Sequence, residues 1–369
     1  MSSSSRRRSG DRERSERNRE PREKRQMPWG ELPQPASCAA DGIVLIDKDP
    51  DVTSHDVVGA MRRLAKTRKV GHAGTLDPMA TGLLTIGIGK ATRFLNYLSG
   101  CDKTYRTTIC LGVSTSTEDA QGAPRRDYLE EFAAKFGAVI AALTRSDGNG
   151  DVGGADALDP SVIAELDRAR QALVGEIKQV PSAVSAIKIN GKRAHELVRA
   201  GIEVEIPARD IIIHGFEFTS ALRLGKILPV DGANVQTLEI DAVVRCSAGT
   251  YIRALARDFG LELGVDAHIT MLRRTEVGHF EVSEANSVRG IANLVADGRD
   301  VPVIPLAQAA RIMPWVEISP QQRTALTYGQ FVEVDAEADP VALICGDELV
   351  AIGAKRGKNI QPVVVFAQS

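Results

Sequence analysis

Gly71-His72-Ala73-Gly74-Thr75-Leu76-Asp77-Pro78-Met79-Ala80-Thr81-Gly82-Leu83-Leu84 is the densest stretch of this chain in residues that constrain backbone and carry chemistry. Its three glycines permit turns or the close approach of backbone to a ligand. A single carboxylate, Asp77, sits in this permissive loop, and Pro78 pushes it toward extended geometry. Taken alone, the segment reads more readily as a structural Asp-Pro turn or helix N-cap than as a catalytic loop. Just downstream, Gly87-Ile88-Gly89-Lys90-Ala91-Thr92 invites comparison with a phosphate loop. That motif needs Ser or Thr directly after the lysine and a glycine five residues before the last one. Here those positions hold Ala91 and Leu84, so no nucleotide cofactor is expected. The histidines His55, His72, His195, His214, His268 and His279 show neither H-x-x-x-H spacing nor a Cys/His cluster, so no metal site is expected either.

Working outward, Ile43-Val44-Leu45-Ile46 is a short apolar run that suits a buried strand. Thr53 or Ser54 can cap a helix running to about Lys66, with Val57, Met61 and Leu64 on one face. Tyr105, Thr107, Ile109, Leu111 and Val113 alternate as in a half-buried strand, as do Leu238, Ile240, Ala242, Val244 and Cys246. Asp159-Pro160 supplies an N-cap and an N1 proline for a helix with Val162, Leu166, Ala169 and Leu173 on one face, closed by Gly175. Ile252, Leu255, Ala256 and Phe259 resume helical spacing. Strands and helices without a regular βαβ repeat predict an α+β fold. From about Met313 the pattern becomes β-rich, with Gly346-Asp347 marking a hairpin between Val341–Cys345 and Glu348–Ile352 and a last strand at Val363–Phe366.

The chain has 369 residues, which suits two domains and a tail. Residues 1–40 are expected to be a disordered charged tail. Met1–Arg25 alone carries ten Lys/Arg against five Asp/Glu and no apolar periodicity. With a net charge of −2 overall, that +5 segment leaves −7 on the rest. The average charge therefore says little about a nucleic-acid partner, whose footprint is local. No apolar run reaches the ~18 residues of a membrane span, and the N-terminus has no secretory h-region. Five widely spaced cysteines (Cys38, Cys101, Cys110, Cys246, Cys345) with no C-x-x-C pair suit a reducing, cytoplasmic setting. The Gly/Asp-rich stretch near residues 146–157 reads as part of a flexible insertion over 137–160.

Two aromatic–basic segments, Asp102-Lys103-Thr104-Tyr105-Arg106 and Gly249-Thr250-Tyr251-Ile252-Arg253, combine a ring able to stack on a base with cations for phosphate or carboxylate. Leu272-Arg273-Arg274-Thr275 adds two adjacent arginines, and Gln179–Ala194 reads QVPSAVSAIKINGKRA. Together with Gly71–Leu84, in this order, these segments resemble the bacterial tRNA pseudouridine-55 synthase family, the TruB type. The resemblance covers Gly42 to about Leu306.

The resemblance implies isomerisation of the T-loop uridine of tRNA to pseudouridine by a cofactor-independent enzyme. It implies a pseudouridine-synthase-like core over residues 41–310, with a central mixed, mainly antiparallel sheet and flanking helices. A small β-rich C-terminal unit over 311–369 occupies the place of the family's PUA-like RNA-binding domain. Asp77 matches the catalytic aspartate, Tyr105 the tyrosine stacked on the target base and Arg253 the arginine paired with the aspartate. Tyr251 and Leu272 match pocket residues, His72 a histidine that holds the flipped-out nucleotide, and Lys48, counted with the substrate-binding residues, the lysine retained in the segment after the first strand. The partner so implied is the tRNA T-arm, with a monomer and no membrane expected. The residue types suit the chemistry. The N-glycosidic bond breaks, a C–C bond to the same base forms, and one carboxylate at the sugar suffices, by adduct or by proton abstraction.

There are departures. Where the family reads D-K-P-x-G-x-[TS]-S, this chain has Asp47-Lys48-Asp49-Pro50-Asp51-Val52-Thr53-Ser54, with Asp49 and Asp51 at the proline and glycine positions, and His195 stands where tyrosine is common. The rival is a non-catalytic RNA-binding or RNA-chaperone protein on the same scaffold. The triad Asp77, Tyr105 and Arg253 separates the two, since a binder has no need of it. Lys48, Lys103, Arg106, Arg253, Arg273 and Arg274 are expected to converge around Asp77.

Overall fold

A computed structural model describes residues 26–146, 159–182, 188–189, 192–193 and 206–368. Its main body is a ten-stranded sheet. The path across it runs Gly42–Lys48, Thr81–Ile88, Ala267–Val277, Lys103–Leu111, Ala233–Cys246, Arg209–Phe218 and Gly175–Gln179. Only the Ala267–Val277 to Thr81–Ile88 pairing on this path is parallel, so the sheet is mixed and mainly antiparallel, as expected.

The helices form where capping and periodicity agree. Thr53 and Asp56 make a reciprocal capping box at the start of helix Ser54–Leu64. That helix buries Val57, Met61 and Leu64 completely, each such side chain contributing about 1.5–3 kcal/mol. Helix Ile252–Leu263 buries Ile252, Leu255, Ala256 and Phe259 against the sheet and stops at Gly264, whose φ of 68° is the left-handed conformation of a C-terminal stop. None of the described helices is long and apolar enough to cross a membrane.

Two sequence expectations are corrected. Residues 27–40 are not tail: Trp29 is buried in the main core, Met27, Leu32 and Ala39 pack against it, and Lys66 donates to the Ala36 carbonyl at 2.9 Å. Trp29 and Leu32 are isolated among polar residues, so no local periodicity announces their burial. Residues 137–146 are not insertion loop but the second half of helix Leu129–Ser146. Phe132, Phe136 and Val139 of that helix are buried at i, i+4, i+7, a spacing the Gly/Asp-rich stretch behind it obscures; residues 147–158 lie outside the described residues. In the turn after the first strand, Asp51, at the position where the family has glycine, adopts φ 58°, a region that aspartate is one of the few side chains to tolerate.

The C-terminal residues make a second, five-stranded sheet in the order Trp315–Glu317, Val341–Cys345, Glu348–Arg356, Asn359–Val365, Val332–Glu333. Ser319 caps helix Pro320–Thr327. One side of this sheet has its own core, with Leu326, Leu343, Val350 and Ile360. The other shares a core with the main body, where Ala342, Ile344 and Phe366 meet Ile43, Leu45, Leu83 and Phe94.

Candidate active site

Asp77 follows strand Val70–Ala73 and the turn at Gly74, whose φ of 82° only glycine adopts freely. Its loop is held from both sides. The Ser54 hydroxyl accepts from Leu76 N at 3.0 Å. The Lys48 ammonium donates to the carbonyls of Pro78 (3.1 Å), Val52 (2.7 Å) and Asp49 (2.9 Å). Lys48 is 1% exposed, and burial pushes its ammonium down to about 8. It is therefore a clamp on the loop, and it does not line the cavity in which Asp77 sits.

That cavity measures about 490 Å³, within the usual range of small-ligand pockets. Arg253, in the first turn of its helix, meets Asp77 side-on: Nε lies 2.9 Å from Oδ2, and Nη2 donates to Oδ1 at 3.1 Å. The two residues are 176 positions apart in the chain. The arginine side chain is 5% exposed and the aspartate 33%, so the carboxylate is the member open to a ligand. Nη1 of Arg253 donates to the Thr117 carbonyl at 2.8 Å and lies 3.7 Å from buried Asp119. A guanidinium fixed on both edges holds the carboxylate in one orientation.

Tyr105 stands on strand Lys103–Leu111 and lines the cavity. Burial pushes its phenol above the ordinary range, opposed by the positive charge of Arg274, its cross-strand neighbour. Arg274 is 1% exposed and also donates to the carbonyls of Leu83 (2.7 Å) and Gly74 (3.1 Å). It thus ties the glycine turn to the neighbouring strand. Leu272 lines the same wall two residues earlier, and Tyr251 faces it from the start of the Arg253 helix. The backbone of Tyr251 is gripped by the buried Gln179 amide, which accepts from its N–H at 2.8 Å and donates to its carbonyl at 3.1 Å. Lys103 donates to the carbonyls of Ser99 and Cys101, and burial first, then the like charge of Arg274, pushes it down to about 8.

Asp77, Tyr105, Tyr251, Arg253 and Leu272 thus come together in one cavity. His72 does not line it: its ring packs edge-on against His55, with centroids 5.6 Å apart. Burial, with the charges of His55 and Arg274, lowers its tendency to protonate. The expected convergence of six cations is corrected to three. Lys103, Arg253 and Arg274 line the cavity, whereas Arg106 is exposed and Arg273 is taken up by Asp47 in a two-pronged pair of 2.7 and 2.9 Å. The period of two in a strand separates them: Tyr105 and Arg274 point one way, Arg106 and Arg273 the other. Sequence reasoning also missed Asp119 and Arg209, and the role of Gln179. Their partners are distant in sequence, and no local spacing reveals them. Of the stretch Gln179–Ala194, residues 183–187, 190–191 and 194 lie outside the described residues, as does His195.

A family model for the N-terminal domain of TruB family pseudouridylate synthases matches residues 62–149 and 130–252. A second, for the C-terminal domain of tRNA pseudouridylate synthase B, matches 253–300. The chain is 43% identical over 337 residues to tRNA pseudouridine synthase B of Paenarthrobacter aurescens, covering 88% of this chain and 95% of that one. This protein belongs to the TruB family. The corresponding relative in Thermobifida fusca is 42% identical over 332 residues, covering 89% of this chain and all of that one. The TruB fold is also shared by solved structures of lower identity. A Cbf5-Nop10-Gar1 complex matches with a TM-score of 0.60 at 24% identity, covering 89% of this chain and 85% of that one. An H/ACA RNP bound to a substrate RNA containing 2'-deoxyuridine matches with a TM-score of 0.58 at 23% identity, covering 88% and 85%.

Proposed function

We propose that this TruB family member isomerises the T-loop uridine of tRNA, at position 55, to pseudouridine, as a monomer in the cytoplasm, and that residues 311–369 serve as a PUA-like RNA-binding unit. The observation that carries the reading is Asp77 held two-pronged by a buried Arg253 in a cavity it shares with Tyr105. A fixed, partly open carboxylate beside an aromatic ring suits a reaction at the sugar of a stacked base. The names of the relatives in Paenarthrobacter aurescens and Thermobifida fusca support tRNA as the substrate.

The target uridine leaves its stack and enters the cavity, at a cost of a few kcal/mol offset by stacking and hydrogen bonds inside. Asp77 works at the sugar carbon whose bond to the base breaks. Tyr105, with Leu272 and Tyr251, keeps the detached base from drifting while it turns to present C5. Arg253 holds the carboxylate's orientation, and Arg274 braces the Gly74 turn that leads to it. Atoms balance without any group transferred: the N1–C1′ bond breaks, the C5–C1′ bond forms, and the C5 proton leaves to solvent while N1 gains one.

The test is release of tritium from C5-labelled uridine in a T-arm stem-loop. The wild type is expected to release label and Asp77→Asn to release none above background. Release by Asp77→Asn at the wild-type rate overturns the reading. Tight binding of the stem-loop without any release by the wild type favours an RNA-binding protein instead.

A further inference from the structure

The outer edge of the Arg253 guanidinium rests on the turn between the short paired strands Ser114–Thr115 and Pro124–Arg125. Thr117 offers its carbonyl and Asp119 its carboxylate, and Glu118 between them adopts φ 60°. That is left-handed backbone in a residue with a long side chain, and it persists only where the surroundings hold it. Glu118 N donates to the Thr115 carbonyl at 3.1 Å, and the Glu118 carbonyl accepts from Ile269 N at 3.2 Å. Asp119 Oδ1 accepts from Thr117 Oγ1 at 2.6 Å and from Gln121 N at 3.0 Å. The neighbours of Glu118 on both sides thus serve Arg253, while its own side chain goes to a different arginine.

That arginine is Arg257. It stands four residues after Arg253 on helix Ile252–Leu263, so the two are neighbours on one helix face. Arg257 Nη1 donates to Glu118 Oε1 at 2.7 Å. Nη2 donates to the Val180 carbonyl at 2.8 Å, and Nη2 and Nε reach Asp258 Oδ1 at 2.8 and 2.9 Å. The side chains of Arg257 and Glu118 are 27% and 15% exposed, and neither residue lines the Asp77 cavity. Glu118 Oε2 is buried and accepts from no group among the described residues, so Arg257 is the cation that offsets this carboxylate.

Residues 117 to 119 are therefore shared between two arginines about one helical turn apart. A shift at Glu118 carries Thr117 and Asp119 with it, and these are the groups on which Arg253 rests. Val180 supplies a second route, because it follows Gln179, whose amide grips the backbone of Tyr251. A misplacement of about 1 Å at a reacting group can cost about a hundredfold in rate, even when its cause lies away from the chemistry.

We propose that Arg257, acting through Glu118, is a positioning residue for the isomerisation: it sets the left-handed turn that holds Arg253, and hence the orientation of the Asp77 carboxylate, without touching the RNA. This rests on the isomerase reading given above.

The test reads tritium release from the T-arm stem-loop in Arg257→Gln, Arg257→Lys, Arg253→Lys and Arg257→Gln/Arg253→Lys. Arg257→Gln is expected to lower kcat by about tenfold to a hundredfold while KM changes by less than about twofold. Added to Arg253→Lys, the same change should cost less than about threefold more, because the orientation it protects is already lost. Arg257→Lys keeps the charge beside Glu118 and should recover part of the loss. An ion pair that only stabilises the fold would lower the thermal midpoint and leave kcat at the wild-type level, and that result overturns the proposal. Multiplicative losses in the double variant overturn it too, as does a rise in KM with kcat unchanged, which would make Arg257 an RNA contact. If Arg257→Gln does not fold, Glu118→Gln, which keeps the size of the side chain, carries the test with an expected fall in kcat of about threefold to tenfold. An unchanged kcat in that variant is equally fatal. The second readout needs no substrate: the ¹⁵N guanidinium signals of Arg253, identified by their loss in Arg253→Lys, are expected to shift or broaden in Arg257→Gln. A wild type that releases no tritium but shows this change loses the isomerase reading and keeps the positioning of Arg253. A wild type that releases tritium, with Arg253 signals unmoved in Arg257→Gln, loses the positioning alone.

Discussion

The Asp77 cavity and the seam between the two sheets, where Lys69, Lys90 and Arg93 line a second cavity against Val365 to Gln368, treat their cations in opposite ways. In the cavity, the three buried cations are immobilised: Arg253 by Asp77 and the Thr117 carbonyl, Arg274 by two carbonyls and Lys103 by two carbonyls. At the seam, Lys69 and Arg93 are exposed and make no ion pair among the described residues. Buried charges that are fully bonded fix geometry and are costly to disturb. Exposed ones attract over a Debye length and are cheap to lose. The first arrangement suits positioning of a reacting bond, the second capture of a large ligand.

This contrast orders the expected effects of substitution. The largest is at Asp77, where Asp77→Asn keeps the shape but removes the carboxylate and should lower tritium release by a thousandfold or more. Arg253→Lys comes next. Lysine keeps the charge but not the two-pronged geometry, so kcat should fall by roughly a hundredfold, while KM for tRNA changes little; equal loss in KM would contradict a positioning role.

Lys48→Met tests the clamp beneath the loop. Its ammonium titrates near 8 in the folded protein and near 10.4 when unfolded. Between those values the unfolded chain binds more protons, so the contribution of Lys48 to stability rises with pH. That contribution is complete above about pH 10.4 and is lost as pH falls through 8. The thermal midpoint of the wild type should therefore gain on that of Lys48→Met as pH is raised from 8 to 10; a constant difference would refute the depressed value. The smallest effect belongs to the seam, where Lys69→Ala should shift unfolding free energy by no more than about 0.5 kcal/mol. A larger loss would mean that the seam is structural.

Much of this was legible beforehand, for identifiable reasons. The loop Gly71–Leu84 is local, and its resemblance to a family motif pointed to Asp77. The same resemblance brought in Tyr105 and Arg253 across 176 positions, a contact that periodicity cannot supply. Alternation marked the strands Lys103–Leu111 and Ala233–Cys246. It also held the answer that was not drawn, since a period of two puts Arg106 and Arg273 on the face away from Tyr105 and Arg274. Asp119 and Gln179 were beyond reach because each acts on a backbone or side chain far along the chain. Trp29 and Leu32 were lost for the opposite reason, being two apolar side chains in a polar segment with no periodicity of its own.

The core shared by the two sheets has a consequence for the order of events at birth. Ile43 and Leu45 share their core with Ala342, Ile344 and Phe366, which come far later in the chain. At about 5–20 residues per second, the ribosome takes tens of seconds to add those later residues. Until then the Ile43 and Leu45 face lacks part of its apolar cover, and a chain truncated before Val341 would keep that part exposed.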